Sequence, residues 1–271
     1  MNETLKPTVA DRIHDARKLL PKICGWEELR DVPPDQVERF LTPMAVLGKG
    51  SLGLVDAVVS SGRNTVPFVR KRVFLPPSGR AQLLHIIKSE ANILEDLVHT
   101  HIVHLFGTYE HKPRIGLPTF SLLMFPVGDN DLAGFLYNCT NLDQLSEEAQ
   151  QAKHWLRRWF SCLTSALAYI HDQGVRHQDI KPSNIIHQRD HIFFTDFSSS
   201  ARFDPTSTTS TENPARNSAM YSAPEVLDRV EGSDDYQRHG TRSDVFSLGC
   251  VFVEMFAATK GVSVYDLHTS L

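Results

Sequence analysis

Two charges stand where charges are costly. Phe68-Val69-Arg70-Lys71-Arg72-Val73 reads as a strand, and with a period of two Val69, Lys71, Val73 and Leu75 share one face. An ammonium on that apolar face is expensive unless it is paired. In the next helical pattern, Leu83, Ile87, Glu90, Leu94 and Leu97 recur at i+3 and i+4, which puts a carboxylate inside an apolar stripe. Lys71 and Glu90 sit on consecutive elements and explain each other as an ion pair. A lysine that snorkels to solvent is the plainer alternative for Lys71 taken alone.

A second constellation lies in His177-Gln178-Asp179-Ile180-Lys181-Pro182-Ser183-Asn184. One loop there holds a carboxylate, an ammonium two residues on and a carboxamide five residues on. These groups can orient a hydroxyl, neutralise a phosphoryl group in transfer and offer oxygen to a metal. Asp196-Phe197 comes twelve residues after Asn184, behind the strand-like Ile192-Phe193-Phe194. A carboxylate at a strand end beside a carboxamide suits Mg²⁺, which takes few protein ligands and keeps several waters. A polar turn is the plain reading of the loop without Asp196.

The third is Gly48-Lys49-Gly50-Ser51-Leu52-Gly53-Leu54-Val55. A GxGxxG run marks a dinucleotide site only when a helix opens directly after the third glycine. Here Leu54-Val55-Asp56-Ala57-Val58-Val59 reads as a strand instead. A glycine hairpin between strands lets backbone N–H groups approach phosphates without side-chain obstruction, and an ordinary Gly-rich hairpin is the competing reading.

The elements that position these groups can be read from periodicity. Met44 to Leu75 is a meander of strands, Ala81 to Leu97 a helix, and Ile102 to Tyr109 and Thr119 to Met124 two further strands. From Asp131 the chain turns mostly helical, with a long helix over Glu147 to Asp172 ended by Gly174. Asn184 to His187 and His191 to Thr195 are short strands, and Val245 to Ala258 is a buried apolar helix. Ser198 to Ser218, rich in Ser, Thr and Pro, reads as a mobile solvated loop, with a regulatory site in the Thr206 to Thr211 run as the alternative. Residues 1–40 are charge-rich, with a weak helical pattern and a break at Pro33-Pro34, and read as a helical extension or linker.

Composition narrows the function classes. Among 271 residues, 41% are hydrophobic and 22% charged, and 28 basic against 32 acidic residues give a net charge of −4. This fits a folded soluble chain, and it predicts neither a nucleic-acid nor a membrane-surface partner. Cys24, Cys139, Cys162 and Cys250 show no CxxC spacing, so no zinc or redox dithiol site is read. His99, His101 and His104 cluster without a common zinc spacing. No secretory signal opens the sequence, and an intracellular setting, cytoplasmic or nuclear, is expected.

Taken in order, these motifs resemble a eukaryotic protein kinase of the serine/threonine type from Met44 to about Ala258, the system for which this signature set is generally described. The resemblance implies that Gly48, Gly50, Gly53 and Val55 cover ATP, and that Lys71 holds its phosphates, paired with Glu90. Val69, Met124 as gatekeeper, the Phe125 carbonyl and the Val127 N–H would line the adenine site. Asp179 would accept the proton of the substrate hydroxyl, Lys181 would steady the γ-phosphate, and Asn184 and Asp196 would bind Mg²⁺. Ala223-Pro224-Glu225 matches the close of the activation segment, and Asp244 the aspartate that braces the catalytic loop. Lys181 and Ser218 favour protein Ser/Thr acceptors over other substrates.

Three departures accompany the match. Gln178 replaces an arginine that commonly reads loop phosphorylation, so activity is expected not to depend on phosphorylation through this residue. Ser198 stands where the family has glycine. The sequence ends at Leu271, soon after the helix around Val251 to Met255, which predicts an incomplete helical lobe with Phe246, Phe252 and Phe256 short of packing partners. The expected fold is α+β and bilobal, kinase-like, with a β-rich N-lobe over 41–126 and a mainly helical C-lobe over 127–271. The expected activity is ATP- and Mg²⁺-dependent phosphorylation of protein Ser or Thr. A non-catalytic, nucleotide-binding interaction module is the rival.

Overall fold

Alternating apolar residues on successive strands build the first part of the molecule. The computed structural model describes residues 9–49, 53–61, 66–203, 219–227 and 240–270. The chain divides into two units, Met1–Val127 and Gly128–Leu271.

The first unit opens with helix α1 (Val9–Ile23) and 3-10 turns at Glu27–Leu29 and Val37–Phe40. Next come strands β1 (Leu41–Lys49), β2 (Gly53–Ser60) and β3 (Phe68–Phe74), then helix α2 (Arg80–Asp96) and strands β4 (His104–His111) and β5 (Thr119–Phe125). The five strands form one antiparallel sheet in the order β1-β2-β3-β5-β4. Register sorts its two faces, because directly opposed residues point the same way. Val55, Lys71 and Leu122 stand in one row, and Val69 with Met124 in the next on that face. Asp56, Arg70 and Leu123 form a row on the other face.

Residues 1–40 read in sequence as a helical extension or linker; their described part, 9–40, contributes to the core. Leu20, Cys24, Trp26, Leu29 and Val37 are buried in one cluster with Phe68, Phe106 and Leu123 of the sheet. The apolar residues of this segment are scattered rather than periodic, so its sequence carries little sign of burial.

The second unit begins with β6 (Asn130–Asp131) and α3 (Leu132–Asn141), whose first turn is capped by Asp131 accepting from the Gly134 N–H. Helix α4 (Glu147–Asp172) buries Leu156, Trp159, Leu163, Leu167 and Ile170 at helical spacing. Ser146 caps its start, and Gly174, with φ +67°, lets the chain turn away at its end. Short strands β7 (Val175–Arg176), β8 (Ile185–Gln188), β9 (His191–Phe194) and β10 (Ala201–Arg202) pair as β6-β8-β9 and β10-β7. Helices α5 (Pro224–Leu227), α6 (Thr241–Thr259) and α7 (Val264–Ser270) complete the unit. The sequence reading did not include α7.

On α6, Leu248, Val251 and Met255 are buried while Val245, Phe246, Val253 and Phe256 are exposed. Phe252 packs on Phe160, with ring centroids 4.8 Å apart. Among the described residues no single helix is long and apolar enough to cross a membrane.

Candidate active site

In the first unit the Lys71 ammonium lies 2.7 and 3.0 Å from the two carboxylate oxygens of Glu90. Glu90 is almost wholly buried, and the Lys71 side chain keeps 18% of its surface exposed. The pairing joins β3 to α2, and it offsets the cost each charge would meet alone. Around it, the row Val55–Lys71–Leu122 and the neighbouring Val69 and buried Met124 make an apolar floor with one cation in it.

The glycines divide. Gly53 is required by the sheet itself, because a Cβ there would collide with the Arg72 carbonyl of β3, whereas Gly48 faces open space. Gly50 lies outside the described residues. Phe125 ends β5, with a cis bond to Pro126, and Val127 closes the unit.

The second unit gathers the loop residues. Lys181 Nζ lies 2.8 and 3.1 Å from the Asp179 carboxylate oxygens. Asn184 Nδ2 donates to Asp179 twice, to the backbone carbonyl and to Oδ2, both at 2.8 Å. The carboxylate is thereby fixed in direction by a lysine and an amide. With its Nδ2 turned to Asp179, the Asn184 amide keeps its oxygen for another partner. An amide oxygen and the Asp196 carboxylate are the hard oxygen donors Mg²⁺ takes, few in number, so the residues fit that ion. Among the described residues no three His, Cys, Asp or Glu side chains gather as a metal site, the His99–His101–His104 run included.

The means by which the loop is fixed were only partly legible in the sequence. Asp244, buried on α6, accepts from the backbone N–H of His177 at 2.9 Å and of Gln178 at 2.8 Å, and it contacts His171 Nε2 at 2.9 Å. Gln178 has φ +66° and Asp196 φ +57°. Non-glycine residues at such angles store about 1–3 kcal/mol, and here the Asp244 bonds hold the first of them in place.

His177 is fully buried, against the rings of Phe197 and Phe194. Burial lowers its pKa, with Asp244, Asp179 and Asp196 pulling the other way. Nδ1 faces the Asp179 N–H at 3.4 Å and Nε2 the Thr195 carbonyl at 3.1 Å. A neutral ring with its proton on Nε2 satisfies both contacts. Farther along, Tyr221 donates to Glu254 at 2.7 Å, His268 Nε2 contacts the same carboxylate at 2.9 Å, and Ser247 donates to the Tyr221 carbonyl. This anchors the segment before Ala223-Pro224-Glu225. Ser218 lies outside the described residues, and so does the Thr206–Thr211 run.

Sequence reasoning missed a network on the other face of β3. Arg70 reaches Asp56 through Nε at 3.0 Å and Nη2 at 2.6 Å, and Glu38 through Nη1 at 2.5 Å. Arg72 adds a third cationic contact to Asp56, and Tyr109 donates to Glu38 at 2.7 Å. The signal was present: Asp56 is an acid inside an otherwise apolar strand, the same oddity that marks Lys71 and Glu90.

Comparison with known proteins agrees with this geometry. Mitogen-activated protein kinase kinase kinase 4 of Mus musculus is 25% identical over 225 residues, covering 81% of this chain and 13% of that protein. Serine/threonine-protein kinase BCK1/SLK1/SSP31 of Saccharomyces cerevisiae is 26% identical over 221 residues, 79% of this chain and 14% of its own. Serine/threonine-protein kinase cds1 of Schizosaccharomyces pombe is 29% identical over 217 residues, 79% of this chain and 44% of that protein. The chain thus spans only a minor part of the length of the relatives it matches. The model of the protein kinase domain aligns with residues 41–266, taking in both the Lys71–Glu90 pair and the Asp179 loop. An α+β chain with this sheet, this ion pair and this loop, matched over most of its length, belongs to the protein kinase domain family.

Proposed function

We propose that the protein transfers the γ-phosphoryl group of Mg·ATP to serine or threonine hydroxyls of protein substrates. The observation that carries the reading is the Asp179 carboxylate, oriented at once by Lys181 and Asn184. A hydroxyl that hydrogen-bonds to Asp179 is turned toward the phosphorus, and Asp179 takes its proton as the new O–P bond forms and the bond to ADP breaks. Lys181 draws charge off the transferring phosphoryl group. Asn184 and Asp196 would hold Mg²⁺, which would supply charge neutralisation on the phosphate oxygens when bound.

In the first unit Lys71, kept in place by Glu90, would engage the nucleotide's phosphates, with Gly48, Gly50, Gly53 and Val55 covering them. Val69, Met124, Phe125 and Val127 would receive the adenine. Lys181 at its spacing from Asp179, and the names of the relatives, support Ser/Thr acceptors. An intracellular, cytoplasmic or nuclear setting suits a chain whose four cysteines are all thiols.

The test is phosphate transfer from Mg·ATP to a generic basic Ser/Thr acceptor protein, beside Asp179→Asn. Wild-type transfer that falls by about 10²-fold or more in the variant is the expected result. Equal transfer by both overturns the role of Asp179. Binding of Mg·ATP, read as a rise in melting temperature, with no transfer by either protein would favour the nucleotide-binding module instead.

A further inference from the structure

Helix α2 ends against its own chemistry. Its last turn contains Glu95 and Asp96 and no basic side chain. Acidic groups therefore crowd the end where the helix dipole is negative and where the last carbonyls lack intrahelical partners. The cation comes from another element. Arg17, on α1, donates through Nη2 to the Leu94 carbonyl at 3.0 Å and the Glu95 carbonyl at 2.6 Å, and through Nη1 to the Leu97 carbonyl at 3.4 Å. A planar guanidinium can serve several oxygens at once, which an ammonium does less well.

The residues after α1 in turn hold Arg17 in place. The chain turns at Gly25, with φ +71°, and the Trp26 indole seats against Gly107 of β4, where any Cβ would collide with it. Farther on, Glu38 is tied to Arg70 and Tyr109. Residues 9–40 are thus fastened to the sheet at two points and reach the end of α2 at a third. Glu90 lies one turn before Leu94 on that helix.

We propose that this segment is a brace on α2, and that Arg17 is the positioning residue that keeps Glu90 opposite Lys71. The Arg17 bonds to Leu94, Glu95 and Leu97 all go to main-chain carbonyls at the end of α2, so it acts through the helix that carries Glu90. A helix whose C-terminal carbonyls and acidic turn lose their cation frays from that end. Glu90 is close enough to the end for fraying to loosen its hold on Lys71. The catalytic consequence rests on the phosphotransfer reading above, whereas the mechanical part does not.

The test compares full-length wild type, Arg17→Ala and Arg17→Lys by two readouts. Amide hydrogen exchange measured over α2, β3 and β5 should show the second half of α2 exchanging about tenfold faster in Arg17→Ala, with β3 and β5 unchanged and Arg17→Lys between the two. Steady-state phosphotransfer should show kcat reduced about threefold to tenfold, with a smaller change in KM for Mg·ATP. Unchanged exchange in α2 overturns the brace. Equal acceleration in α2, β3 and β5 also overturns it, because that is loss of stability rather than of position. Faster α2 exchange with kcat unchanged overturns the positioning of Glu90. If wild type transfers no phosphate, the phosphotransfer reading fails, and exchange still decides the brace.

Discussion

Arg70 and Lys71 are adjacent on β3 and face opposite sides of the same sheet. Each places a cation against a largely apolar face, and the two sides resolve the cost differently. Arg70 is sealed: burial works against its charge, but the hydrogen bond to Asp56 and the fields of Tyr109 and Glu38 outweigh it and hold the guanidinium above its usual pKa. Its fork is spent on two carboxylates, one of them supplied by residues 9–40. Lys71 is paired to a buried carboxylate yet keeps a side open to solvent. A charge whose donors are used up inside the protein builds architecture. A charge that is paired and still reachable can meet a ligand. The difference is visible in exposure and partner geometry, and residue type alone would have ranked the two alike.

Substitutions can break this contrast. Arg70→Met takes the buried guanidinium from Asp56 and Glu38 and leaves them with Arg72 and Tyr109; urea unfolding should show a loss of about 3–5 kcal/mol, the range for removing one partner of a buried ion pair. Lys71→Met removes the ammonium from Glu90 beside a solvent-open position, and the same measurement should show a smaller loss of about 1–3 kcal/mol. Equal losses would erase the distinction. Gly107→Ala forces the Trp26 indole out of its seat, with an expected cost of about 1–3 kcal/mol in a thermal melt. Its footprint in exchange should lie along α1, β4 and the end of α2 that Arg17 holds, rather than along β3 and β5.

A pH titration sharpens the comparison further. Burial lowers His99 to about 4, helped by His101, and His104 to about 4, helped by Arg17 and His99. Both are neutral in the folded chain and bind protons more readily when it unfolds. Stability of the first unit should therefore be full above about pH 6.5 and decline as pH falls toward 4. A flat profile over that range, read by chemical unfolding, would contradict the burial. The smallest effect belongs to Gln178→Arg. The backbone N–H at this position still reaches Asp244, so stability should change by less than about 0.5 kcal/mol. Transfer by the wild type should be the same before and after phosphatase treatment, and a large loss on treatment that requires Gln178 would contradict this.

The legible and illegible parts of the sequence divide along the same contrast. The Lys71–Glu90 pair was readable because each charge interrupts a regular apolar pattern, and the strand and helix that carry them are long enough to show a period. The Asp179 loop was readable because its groups are close in sequence. The helix over Glu147 to Asp172 matched in full, since its stripe of Leu, Trp and Ile runs unbroken between Ser146 and Gly174. The Arg70 network escaped notice because its members come from positions 38, 56, 70, 72 and 109, brought together by three strands and the turn that carries Glu38. Residues 9–40 escaped for a related reason: Leu20 reaches the core from near the end of α1, while Trp26 and Val37 reach it from short turns that leave no periodic trace. Arg17 is one more basic residue on a charged helix until the end of α2 is placed beside it.

The most direct test of the account compares Lys71→Met with Arg70→Met for phosphate transfer from Mg·ATP, at a temperature where circular dichroism shows both variants folded. The account predicts that wild type transfers phosphate, that Lys71→Met loses about 10²-fold or more, and that Arg70→Met loses no more than about the threefold to tenfold expected from loosening the brace. Transfer retained by Lys71→Met, or lost equally by a folded Arg70→Met, would contradict the division of labour between the two faces of β3.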